Sequence, residues 1–344
     1  TSMIADGMTA EDIIFAVADG LSFLVDNGEV KPVYKCSCSK ERMEKALKTA
    51  YELSEKEEYS KLDAVYVVGD FTKRGEPEQM RAFKKTLDDN KKPETQYCLT
   101  LASHEFNRDN GGEEAALKRF TEIFGLPHDD HRVINGFHFI SLTTTNGCDF
   151  NDAKRDYAKK ELKKAREDAP NKPIFFFQHP HITDTVSGSI YWGDESLYPI
   201  LMNYPQVFDF SGHSHAPIND PRSIHQRHFT SLGTGTLSYF ELDEFDKIYG
   251  TCPPGKEKAA QMLIVEADAE MRVRIYPYDV APNVDTTGDG VADEGSLRGS
   301  SEVVAEKIRA DIQERVKEAG IEIVEARITY LAYAPEIAAV MLQR

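Results

Sequence analysis

Cysteine is scarce in this 344-residue chain. There are five, Cys36, Cys38, Cys98, Cys148 and Cys252, an odd number with one close pair. That excludes a disulfide framework. Basic charge is also short: 41 Lys and Arg stand against 58 Asp and Glu, for a formal net charge of −17. Such a chain is no nonspecific binder of nucleic acid or anionic membrane, which needs a basic surface. A phosphate substrate stays open, because bound cations invert the local field. No run of eighteen apolar residues occurs, so no membrane-crossing helix is expected, and no signal peptide is legible. There is a single tryptophan, Trp192, and no histidine before His104.

What the chain does contain falls into three textures. Residues 1–57 read as mostly helical, with Met43, Leu47 and Tyr51 at helical spacing after a short strand-like piece, "KPVYKCSCSK". From 60 to 280 short apolar runs alternate with helical segments or long loops. The runs are "AVYVV" (64–68), "YCLTLA" (97–102), "FHFISL" (137–142), "IFFFQ" (174–178), "VFDF" (207–210), "MLIVEA" (262–267) and "RVRIY" (272–276). Several are apolar throughout, which suits strands buried on both faces of an α/β layered fold. "EQMRAFKKTL" and "DAKRDYAKKELKKARED" predict surface helices between them. Near 281, "APNVDTTGDGVADEGS" has linker chemistry. A helix and a strand-like segment are predicted beyond it.

The chemistry-bearing residues stand where these strands end. "AVYVV" runs into Gly69-Asp70 and then Arg74, "YCLTLA" into Ser103-His104-Glu105, "IFFFQ" into His179-Pro180-His181, and "VFDF" into Ser211-Gly212-His213-Ser214-His215. Ligands of open α/β sheets bind outside the carboxyl ends of strands. Four strands thus deliver a His or an Asp to one rim. Imidazole plus carboxylate suits Zn, Mn, Fe or Ni rather than Ca, and two-metal sites are a common solution for phosphoryl hydrolysis.

The series Gly69-Asp70, Ser103-His104-Glu105, His179 and Gly212-His213-Ser214-His215 resembles the calcineurin-like metallophosphoesterases. The resemblance implies a metallophosphoesterase-like β-sandwich of two mixed sheets flanked by helices, with a divalent transition-metal site (Mn, Fe or Zn) at its rim. It implies that Asp70 bridges two metals, that His179 and His213 bind one of them and that His215 binds the other. His104 would sit by the leaving group, Arg74 would contact phosphate, and metal-bound hydroxide would attack a small phosphate mono- or diester. Tyr191 and Trp192, in "SGSIYWGDESLY" (187–198), are candidates for a substrate wall. Two departures stand out. The family's upstream D-x-H has no counterpart here, and Ser103 occupies the position of its metal-binding Asn. The ligand count therefore predicts one firmly held metal at Asp70, His179 and His213.

The flanks carry other likenesses. Residues 3–49, with Cys36 and Cys38, resemble the linker and zinc-domain start of the redox-regulated heat-shock holdase, without its C-x-x-C. Residues 300–344 resemble part of a stomatin/prohibitin/flotillin domain. "VDTTGDGVADEG" resembles a calcium loop, with Asp285, Asp289 and Asp293 at oxygen-ligand spacing but Ser296 where an EF-hand has Glu. The expected organisation is a holdase-like fragment (1–50), a metallophosphoesterase-like domain (51–280), an acidic linker (281–299) and a helix-strand-helix fragment (300–344). A natural fusion, an artificial chimera and a misassembled sequence all fit this pattern. Three functions follow: a metal-dependent phosphoesterase, a degenerate binding module on the same fold, or an interaction protein with chaperone-like ends.

Overall fold

Period-two alternation along the central strands sorts their side chains into layers. The computed structural model describes residues 22–26, 29–33, 40–240 and 260–280, all within one compact unit, Thr1–Val280. A second unit, Ala281–Arg344, lies outside the described residues. So do Cys36, Cys38 and the Asp285, Asp289 and Asp293 loop.

The strands are β1 (Ser22–Asp26), β2 (Glu29–Val33), β3 (Ala64–Val67), β4 (Gln96–Leu99), β5 (Asp130–Ile134), β6 (Phe137–Ser141), β7 (Ile174–Phe177), β8 (His181–Ile182), β9 (Gly193–Asp194), β10 (Val207–Ser211), β11 (Ile224–Gln226), β12 (Thr230–Gly233), β13 (Gln261–Ala267) and β14 (Val273–Asp279). The helices are α1 (Lys40–Ser54), α2 (Pro77–Asn90), α3 (Gly112–Phe124), α4 (Asp152–Asp168) and the one-turn pieces α5 (Ser189–Trp192) and α6 (Tyr198–Leu201).

Six strands form one mixed sheet in the order β11-β12-β10-β7-β6-β5. Its centre is parallel and its two edges are antiparallel. The IFFF run of β7 is buried at all four positions, as a central strand covered on both faces should be. Phe176 packs with Leu162, Ala165 and Leu201 of α4 and α6. Its neighbours Phe175 and Phe177 point to the opposite face and pack with Tyr66, Val68, Leu263 and Ile275. Those residues belong to a second layer, built from the parallel pair β3–β4 and the antiparallel pair β13–β14. Outside β3 and β4, Val65, Val67 and Leu99 meet Leu47, Leu87 and Phe120 of α1, α2 and α3. The result is helix, sheet, sheet, helix: the expected α/β sandwich flanked by helices.

Two expectations change. Part of the N-terminal segment read as helical is a hairpin, β1 paired with β2, and Asn27-Gly28, a strong two-residue hairpin signal, stands between the strands. Helix α1 runs across the expected boundary at 50, and its Met43, Leu47 and Tyr51 share the cluster of Leu99 and Phe120. The turn Asn135-Gly136, with φ of 51° and 77°, closes β5 onto β6.

Where α4 crosses this hairpin, four titratable groups form a chain. The His131 Nδ1–H donates to Glu161 Oε2 at 2.6 Å, His131 Nε2 lies 2.8 Å from His138 Nδ1, and His138 Nε2 lies 3.0 Å from Asp168 Oδ2. Lys160 and Lys164 also approach Glu161. Asp168 is 68 % exposed and its pull is screened. Burial and the adjacent His131 ring therefore hold His138 below the usual histidine range. Burial raises Glu161, but the His131 and Lys160 bonds outweigh it and hold the carboxyl below its usual range. Both depressions act in the same direction. The unfolded chain takes up its His138 proton near pH ~6.5, which the folded state resists, so this stability is present above that pH and lost below it. Glu161 adds a further loss as the pH falls through its depressed folded value. We expect the urea unfolding free energy to fall from pH 8 to pH 5, with a flatter slope in His138→Gln; equal slopes would show that the chain does not couple to folding.

Candidate metal centre

The rim is assembled by turns that lie just past the strand ends. Beyond β3 the backbone enters the left-handed region twice, at Gly69 (φ 97°) and Asp70 (φ 52°). A Cβ on Gly69 would stand 2.7 Å from both the Ala102 Cβ and His179 Nδ1. Glycine is therefore required there, and the close approach brings Asp70 beneath the His179 ring.

His179 leaves the end of β7 and is 2 % exposed. Its Nδ1–H donates to the Val68 carbonyl at 2.6 Å. That bond fixes the ring orientation and aims Nε2 into the site. Nε2 lies 3.1 Å from Asp70 Oδ2 and 2.9 Å from His213 Nδ1. One ligand atom from each of Asp70, His179 and His213 falls within a 4.8 Å group. Two imidazole nitrogens and one carboxylate oxygen, with the outer nitrogen of His179 already tied back, fit a borderline divalent transition metal.

The electrostatics agree. Burial raises the Asp70 carboxyl, but the His179 charge and hydrogen bond outweigh it and hold Asp70 well below the carboxylate range. Burial, and then the His179 charge, push His213 down to about 3. The centre thus presents an ionised oxygen and, at His213, a neutral imidazole. At His179 burial opposes the charged ring, but the Asp70 charge and hydrogen bond outweigh it and raise that group, so a metal there would displace a proton.

Ser103 and His104 orient that oxygen pair. The Ser103 hydroxyl donates to Asp70 at 3.1–3.2 Å, and the His104 backbone N–H donates to Oδ1 at 2.9 Å. The His104 ring gives Nδ1–H to the Lys73 carbonyl at 2.7 Å, and its Nε2 lies 3.9 Å from Asp70 Oδ2. That side chain is 41 % exposed. His215 stands outside the three-residue group, and its Nδ1–H donates to the Tyr239 carbonyl at 2.9 Å. The Trp192 ring packs edge-on to His213, 5.1 Å between centroids. Tyr191 beside it is exposed. Arg74 is exposed, and its backbone N–H donates to Gln79 Oε1.

Two organising residues carried no assigned role in the sequence. Glu105 is fully buried and accepts from the backbone N–H groups of Asp70, Thr72 and Ala102 and from the Thr72 hydroxyl, at 2.7–3.2 Å. It pins the Asp70 loop to the Ser103 loop. Burial, with the Asp70 charge adding to it, raises Glu105 to about 7. His181, also buried, bonds two serine hydroxyls, and burial pushes it down to about 3. Its sequence signal was its place two residues after His179.

Facing sheets between helices, with carboxylate and imidazoles gathered at the strand ends, define a metallophosphoesterase fold. The family model described as calcineurin-like phosphoesterase matches residues 36–217, more than half of the chain, and the chain belongs to that family. Among solved structures it is similar to a purple acid phosphatase isolated from yellow lupin (Lupinus luteus) seeds. The identity is 14 % and the TM-score 0.49, over 75 % of this chain and 50 % of that one. The chain thus spans half the length of the lupin protein. No curated protein matches. The family match begins at residue 36, inside the segment expected to be holdase-like, and does not reach residues 300–344; it shows neither flanking likeness.

Gly69→Ala tests the close approach. We expect a loss of stability of about 1–3 kcal/mol from the left-handed backbone and the contacts a Cβ would meet. Weaker Co²⁺ binding should accompany it, read by urea unfolding and by metal titration. An alanine variant with unchanged stability would show that the turn relaxes freely.

Proposed function

We propose that this chain is a metal-dependent phosphoesterase that hydrolyses a small phosphate mono- or diester at the rim formed by Asp70, His179 and His213. The observation that carries this reading is the convergence of those three ligand atoms within 4.8 Å, at the carboxyl ends of three strands. A divalent transition metal bound there supplies a Lewis acid and lowers the pKa of coordinated water.

The chain's own residues have distinct parts. Asp70 and the two imidazoles hold the metal. The Ser103 hydroxyl and the His104 N–H keep the Asp70 carboxylate in one orientation. His104, with Nδ1–H committed to Lys73, keeps Nε2 to hold and release a proton at the leaving oxygen. Arg74 contacts the phosphate, and Tyr191 and Trp192 form an aromatic wall beside His213. With Mn²⁺ added, p-nitrophenyl phosphate or bis-p-nitrophenyl phosphate should be hydrolysed, and Asp70→Asn and His213→Ala should each lose about two orders of magnitude or more. No turnover of either ester by the unaltered chain would overturn the reading.

A second reading is a degenerate module that binds phosphate through one metal without turnover. Two observations favour it: the Ser103 hydroxyl is spent on Asp70, and His215 stands outside the group of three converging ligand atoms. Elemental analysis after dialysis against micromolar Mn, Zn and Fe should give one metal per chain. Two would mean that His215 and further ligands complete a pair.

A further inference from the structure

His181 takes no part in the chemistry above, yet it is 1 % exposed and both its ring nitrogens are engaged. Nδ1 lies 2.7 Å from Ser211 Oγ, and Nε2 lies 2.7 Å from Ser214 Oγ. We propose that His181 is a positioning residue: it locks the Gly212–His215 turn in the conformation that aims His213 at Asp70 and His179. The proposal rests on the metal-site reading.

The donors and acceptors run in one direction. The Ser211 hydroxyl donates to the Leu232 carbonyl at 3.4 Å, so it accepts from the His181 Nδ1–H. His181 Nε2 then accepts from the Ser214 hydroxyl, and Ser214 Oγ accepts from the Ala216 N–H at 3.3 Å. One neutral tautomer of His181 satisfies every group in this chain.

Ser214 is the middle of the turn. The residues on either side, His213 and His215, have φ of 68° and 55°. Two non-glycine residues in the left-handed region of one turn need support from outside it. The backbone gives some: the Ser214 N–H donates to the Gly212 carbonyl at 2.8 Å, and the Gly212 N–H to the His179 carbonyl at 3.0 Å. The short side-chain anchor is His181, and the alternative acceptor for Ser214 Oγ is the Ser187 carbonyl at 3.3 Å. His181 opens β8 two residues after His179, so one short segment sets a ligand and the anchor of its partner ligand in register. Losing the anchor frees Ser214 to turn toward Ser187 and His213 to leave the group.

The test is a double-mutant cycle read by Co²⁺ titration. His181→Leu and Ser214→Ala should each weaken Co²⁺ binding about tenfold to a hundredfold, as losses of a ligand-orienting partner do. The double variant should be no weaker than either single one, since both remove the same bond. Wild-type affinity in His181→Leu, or additive losses, would overturn the proposal; if His181→Leu does not fold, Ser214→Ala at wild-type affinity overturns it equally. The metal-free protein gives a second readout, the ¹H–¹⁵N imidazole resonances of His213. They should shift or double in both variants. If the unaltered chain takes up no Co²⁺, the metal reading fails and these spectra decide alone. Unchanged His213 resonances in both variants would then refute the positioning role.

Discussion

The hydrogen bond from the His179 Nδ1–H to the Val68 carbonyl joins the two layers of the sandwich at their rim. Behind it the layers are held apart by aromatic packing, with Tyr66 stacked on Phe177 at 3.9 Å and 13°. Two packed sheets stand about 10 Å apart, too far for one imidazole to bridge within the core. Only past the strand ends can the β3 and β7 extensions curl toward each other. The bond forms there, and it imposes the rest of the local structure. It requires glycine at 69, it places Asp70 under the ring, and it leaves Nε2 as the atom that faces His213.

Around that bond, two carboxyls divide the work. Asp70 and Glu105 are near neighbours in a nearly dry setting, where two negative charges are costly. The structure separates them. Asp70 stands beside His179 and stays ionised, whereas Glu105 is shifted up to about 7 by burial and by the Asp70 charge. Glu105 spends its oxygens on three backbone N–H groups and the Thr72 hydroxyl, which makes it a brace between loops. Asp70 keeps oxygen for a cation. In a chain with a net charge of −17, a cation held at this rim would invert the local field.

Much of the layer structure was legible in the sequence because burial on both faces leaves a continuous apolar run. IFFF and VFDF are strands close to where they were read, and the helix over Asp152–Asp168 has the expected limits. The hairpins β1–β2 and β5–β6 went unread although Asn-Gly stands between their strands in the sequence, because SFLVD, EVKPV and DHRVI are short, mix charge or proline with apolar residues and show no long continuous apolar run. The placement of α1 was not legible either. Its Met43, Leu47 and Tyr51 show an apolar stripe, but a stripe does not say which layer covers it.

By itself the sequence determined that Asp70, Ser103, His104, His179, His213 and His215 lie just past the ends of apolar strands, because local pattern fixes where a strand stops. It could not say which of them converge. That depends on strand order and on turn conformation, and both arise from contacts between residues far apart in the chain. Tertiary structure gathered Asp70, His179 and His213, turned His215 toward Tyr239, and set Ser103 on the Asp70 carboxylate. It also recruited Glu105 and His181, whose hydrogen-bond partners come from other loops and strands that only packing brings within reach.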